Sequence, residues 1–99
     1  MNLTGVWQCD DGATYYVRQI GDRIFWCGES QPETPIFCNV ASGLIAEQEV
    51  MLQWADVPKG ANQFFGAIIL RVSIDGDRME AIHKSGSFSG SLWKRVAST

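Results

Sequence analysis

The stretch DGATYYVRQIGDRIFWCGES, residues 11–30, packs aromatic and β-branched side chains into two short runs with only Gly21-Asp22 between them. Neither run has the three-to-four spacing of a helix; both are closed by turn-forming residues, which is the punctuation of strands. A Gly-Asp pair suits the tight turns whose twist matches that of paired strands, so residues 13–20 and 23–28 are predicted to be the two arms of a hairpin. Side chains alternate across a strand, and Arg18 marks the outer face together with Thr14 and Tyr16. Tyr15, Val17 and Gln19 are therefore expected to face inward. In the second arm Ile24 and Trp26 oppose Phe25 and Cys27, and parity does not choose between them.

The same punctuation continues on both sides. Strands are predicted at residues 5–10, 36–46, 49–57, 64–74, 78–84 and 91–96. Asp11-Gly12 and Asp75-Gly76 mark further two-residue turns, and Glu47-Gln48 a weaker one. Longer loops are expected at residues 29–35, where Pro32 and Pro35 forbid a central strand, and at residues 58–63, where Pro58 and Gly60 do the same. No helix, repeat or linker interrupts this order. About eight sequential antiparallel strands predict an all-β fold: one small up-and-down β-barrel, residues 1–99, that closes on itself and leaves no exposed edge. Arg78, Glu80 and Lys84 place Met79, Ala81 and His83 inside; Arg71 and Ser73 place Ile68, Leu70 and Val72 there; Lys94 does so for Trp93 and Arg95. An interior of eight strands is filled by side chains or holds one small ligand.

Bulk properties narrow the partners. A chain of 99 residues supports a single core. With 45% hydrophobic and 19% charged residues it folds rather than remaining disordered. Its net charge of -3, with basic residues scattered singly, offers no footprint for a phosphate backbone, so nucleic acid is not an expected partner. The longest apolar run, Ala67-Ile68-Ile69-Leu70, is far short of a membrane span. Met1-Asn2-Leu3-Thr4 has neither a basic leader nor an apolar core, which predicts a cytoplasmic protein. Cys9, Cys27 and Cys38 have spacings that fit neither a zinc knuckle nor a thioredoxin-type pair, and are expected to be reduced thiols.

Two resemblances follow from these residues. Gly5-Val6-Trp7 on the first strand and Trp93-Lys94-Arg95 on the last resemble the signature of the calycin barrels, which include the lipocalins, fatty-acid-binding proteins and avidins. The resemblance implies that Trp7 packs under Arg95 and plugs one barrel end. The strings DGATYYVRQIGDRIFWCGE, FCNVASG, WADVPKG and GSFSGSLWKR also resemble a family of small, functionally uncharacterised proteins with D-G-x-T-Y-Y-x-R-Q, W-A-D-V-P-x-G and a terminal W-x-R. That resemblance spans residues 5–95 and implies no activity.

Few residues offer chemistry. His83 is the only histidine, so a histidine-rich metal site is ruled out, and neither metal nor cofactor is expected. A Cys9–His83 nucleophile pair would have to converge across two strands; an interior imidazole bonded to Tyr15 or Gln19 is the simpler reading. Asp10, Asp11, Asp56, Asp75 and Asp77 fall at turns, where Asp holds backbone amides. Trp54-Ala55-Asp56-Val57-Pro58 reads either as a ring packed under a loop that Asp56 caps, or as the wall of a cup mouth. Tyr15, Gln19 and His83, with Asn39 where its strand turns that side inward, beside Trp26, Trp54 and Trp93 match the make-up of a small-ligand pocket: a few polar groups among aromatic walls. They match a buried register-fixing network equally well. The expected function is a non-enzymatic barrel for a small, partly apolar ligand. The alternative is a filled barrel that self-associates or binds protein through outward Phe25, Tyr16 and Ile69 and the two longer loops.

Overall fold

The computed structural model describes residues 1–31 and 33–98; Pro32, expected to break the strand pattern, lies outside them. Eight strands follow one another: β1 (Gly5–Cys9), β2 (Thr14–Ile20), β3 (Arg23–Glu29), β4 (Cys38–Ala46), β5 (Glu49–Asp56), β6 (Phe65–Val72), β7 (Arg78–Lys84) and β8 (Leu92–Ala97). Each pairs antiparallel with the next, and β8 returns to β1, closing an up-and-down barrel. The opening hairpin has the predicted register, running from Thr14 opposite Glu29 to Ile20 opposite Arg23. Its turn begins with Gly21 in the left-handed region.

Strand ends differ from expectation where side chains intercept the ladder. Ser30 Oγ accepts the amides of Ile36 and Phe37, so β4 starts at Cys38 rather than at residue 36. Ser73 receives the Arg78 amide on its hydroxyl and donates its own amide to the Arg78 carbonyl, which ends β6 at Val72 and leaves Ile74 in an exposed turn.

Parity resolves the third strand: Ile24, Trp26 and Gly28 face in, Phe25 and Cys27 face out. Across the interior, Val17, Trp26, Ala41 and Trp54 share one register row, and Ala41 leaves room for the two indoles that flank it. The Tyr15 ring lies against Gly28, where an added Cβ would sit 2.3 Å from ring carbon Cε2. That strand position therefore requires glycine.

One expected inward residue is misplaced by a β-bulge. Leu70 pairs with Ala81 but Ile69 pairs with His83, so Ile82 is an extra residue on β7 and the alternation slips by one. His83 consequently lies on the outer surface beside Ile69, exposed, and reaches neither Tyr15 nor Gln19.

Connections alternate between the barrel's ends. At one end the N-terminal segment crosses the opening and buries Leu3, whose carbonyl accepts the Trp7 indole at 3.0 Å. The Arg95 guanidinium carbon stands 4.8 Å from the Trp7 ring centroid. Arg95 also donates to the carbonyls of Thr4, Asn2 and Gly76 and pairs with Asp77 at 3.1 Å. A flat cation covers the indole face while its nitrogens tie three segments together. Gln19 belongs to this plug and not to a pocket: its Oε1 accepts the Leu3 amide, its Nε2 donates to the Gly21 carbonyl, and its amide donates to Thr4 Oγ1.

Candidate functional site

The opposite end gathers the β1–β2 turn and the loops after β3, β5 and β7. The loops after β3 and β5 zip together, with Ala61 and Asn62 amides on the Ile36 carbonyl and Lys59 paired to Glu29 at 2.6 Å. Asp56 Oδ2 takes the Phe64 amide across the loop it caps. Below them lies a small cleft lined by Asp11, Tyr15, Asn39, Trp54, Asp56 and Phe88 among others. Each of the four sequence strings quoted above contributes to it.

A directed hydrogen-bond chain runs through the cleft. Trp26 Nε1 donates to Asn39 Oδ1 at 2.8 Å, Asn39 Nδ2 donates to the Tyr15 hydroxyl at 3.4 Å, and that hydroxyl donates to Asp11 Oδ2 at 2.8 Å. Asn39 is 1% exposed, and its amide can serve both neighbours only in this orientation. Burial, reinforced by the Asp11 charge, pushes the Tyr15 phenol far above its ordinary value, so it stays a neutral donor. The first carboxylate oxygen of Asp11 accepts the Ala13 amide, which fixes the second on Tyr15. Turn duty thus accounts for only half of Asp11. Asp10, expected to hold a backbone amide of its own turn, instead takes the amides of Ser91 and Leu92 across the seam.

Rings fill the space beneath. Phe88, from the loop after β7, lies 4.9 Å from Trp54 edge-on, 5.9 Å from Trp93, 6.2 Å from Trp26 and 6.4 Å from Tyr15. Edge-to-face and tilted pairs at such distances are the favourable ones. The cleft retains only about 20 Å³, room for about one water, against the roughly 300 Å³ at the low end of ligand sites. The barrel end is filled.

Tyr15, Trp26, Asn39 and Trp54 are therefore brought together, while Gln19 and His83 are not. Cys9 faces inward beside Asp10, its thiol pushed up chiefly by burial, and His83 stands outside, so no nucleophile pair forms. Among the described residues no group of three or more His, Cys, Asp or Glu is placed to hold a metal ion, and no helix is long and apolar enough to cross a membrane. Sequence reasoning missed Phe88 and the second role of Asp11. The signal for Phe88 was a single aromatic in the otherwise Gly/Ser run SGSFSGS. Compared with protein-family models, with curated proteins and with solved structures, the chain matches none.

Proposed function

We propose that this chain is a non-catalytic, calycin-like barrel that binds a small, partly apolar ligand at the end bearing Asp11, Tyr15, Asn39 and Trp54. The observation that carries the reading is the directed chain from Trp26 through Asn39 and Tyr15 to Asp11, which leads from a buried indole to the rim among aromatic walls. Such a chain offers an incoming molecule fixed donors and acceptors, with apolar surface to either side. The stack of Arg95 on Trp7 supports the calycin kinship, because it plugs the far end and leaves this one as the mouth. With the end filled, a ligand has to take the place of a side chain. Titration with neutral aromatic amphiphiles should change Trp emission saturably, and Asn39→Leu should abolish the change while the far-UV spectrum stays that of a folded barrel. Absence of any response across such a panel would contradict the reading.

A second reading rests on the outer face. Tyr16, Cys27, Val40, Ala55 and Phe65 form one register row over five strands, and Arg18, Phe25, Ser42, Gln53 and Ala67 form the next. Arg18 is the one charge in both rows. The rows floor an open groove of about 1010 Å³ between Phe25 and Phe65. Uncharged surface with exposed aromatics suits a contact between two copies of this chain. Sedimentation at micromolar concentration would show a dimer, and Phe65→Lys would return it to monomer.

A further inference from the structure

The seat of the Phe88 ring is built like a binding site, whereas the segment that delivers the ring is built to move. Its walls are Tyr15, Trp26, Trp54 and Trp93, from β2, β3, β5 and β8, all within rigid strands. Its occupant arrives on residues 85–91, where every other residue is Gly or Ser. Both ends of this loop are tied. Ser85 bonds Ala67 in both directions and accepts the Trp54 indole; Gly90 and Ser91 receive Lys84, and the Ser91 amide reaches Asp10. Between them, Gly86 to Ser89 make no hydrogen bond to any described residue. Gly86 and Ser87 are both in the left-handed region, at φ 77° and 70°, and a Cβ on Gly86 would meet the Phe65 carbonyl oxygen. Burial of one ring, 8% exposed, is what holds the middle of this loop down. Segments with few backbone bonds and one anchoring contact open locally without unfolding the whole.

An independent observation points to a ligand. Trp93 is 2% exposed, and its indole Nε1 is the one buried side-chain polar atom without a hydrogen-bond partner among the described residues. Its ring is a neighbour of the Phe88 ring, centroid to centroid 5.9 Å, and a phenyl ring offers no oxygen or nitrogen acceptor. A native core rarely leaves a buried donor unmatched, and such an exception leaves a donor that a water or a bound molecule can satisfy. The rim adds a charge preference. Asp11 and Asp56 line the cleft and no Lys or Arg does, which disfavours carboxylate ligands.

We propose that Phe88 is a removable plug, and that its seat takes a flat, uncharged aromatic ring carrying a hydrogen-bond acceptor for Trp93. This rests on the ligand-binding reading above and adds to it what moves and what enters. The test is amide and indole NMR of the wild-type protein and of Phe88→Leu, titrated with acetophenone, with ethylbenzene (no acceptor) and with benzoate (an anion). Acetophenone is expected to shift the Trp93 indole N–H resonance and to displace the Phe88 ring in the wild type, with the loop amides exchanging faster while strand amides do not. Binding should tighten at least tenfold in Phe88→Leu, be weaker for ethylbenzene and be lost for benzoate. If acetophenone shifts Tyr15 and Asn39 while Phe88 keeps its contacts and Phe88→Leu gains nothing, the plug is overturned and the ligand-binding reading stands. If none of the probes binds either protein at millimolar concentration, both fall.

Discussion

Tyr15 can lie against β3 because Gly28 has no side chain. Gly28→Ala should therefore destabilise the barrel by about 1–3 kcal/mol, the usual penalty of overpacking, read as a lower urea midpoint at unchanged slope. Asn39→Leu removes the acceptor of the Trp26 indole and the donor to Tyr15. A buried donor left unmatched costs about 1–3 kcal/mol, and the same denaturation experiment measures it. Tyr15 was legible in the sequence because Arg18 declares the outer face of its strand, whereas Trp26, Asn39 and Trp54 were singled out by residue type, β4 carrying no charge to mark its outside and β3 offering large apolar residues on both faces. Phe88 and the rim role of Asp11 were not. A residue in a Gly/Ser loop has no alternation to assign it a side, and a turn Asp gives no sign that its second oxygen reaches a phenol four residues on.

Elements were legible to within a residue or two wherever turn chemistry and alternation agreed. His83 shows the limit: one extra residue on β7 reverses every side chain beyond it, and Ile82 carries no compositional mark of a bulge. The tight turn at Glu47 was read as the weaker one, and it places a non-glycine residue at φ 57°. Glu47→Gly should relieve that conformation and stabilise the protein by about 1 kcal/mol, seen as a higher melting temperature. Asp10 ties the turn after β1 to the start of β8, and the Ser91 and Leu92 amides hold its carboxyl below the usual range. A carboxyl depressed in the folded state adds stability above its ordinary pKa, and that stability is lost as pH falls through the folded value. The stability difference between wild type and Asp10→Asn should thus be constant from pH 7 to 5 and change only below about pH 4. Equilibrium unfolding across that range checks it.

For the whole molecule, closure decides everything else. A sheet left open between β8 and β1 would separate Trp7 from Arg95 and Asp10 from Ser91, and the aromatic rows would lose their common interior. Arg95→Lys keeps the charge but gives up the planar fork that reaches Thr4, Asn2, Gly76 and Asp77 together. It should cost about 2 kcal/mol or more in urea unfolding, with the seam strands affected first. A closed, filled barrel leaves only the loop after β7 to open on its own. Native-state hydrogen exchange reads the two kinds of opening separately. Seam amides such as Asp10, bonded to the Leu92 carbonyl, are expected to exchange only with global unfolding, like those of the β4–β5 pair, while Gly86 to Ser89 exchange through a local opening. Seam amides exchanging as freely as those of an exposed sheet edge would contradict closure.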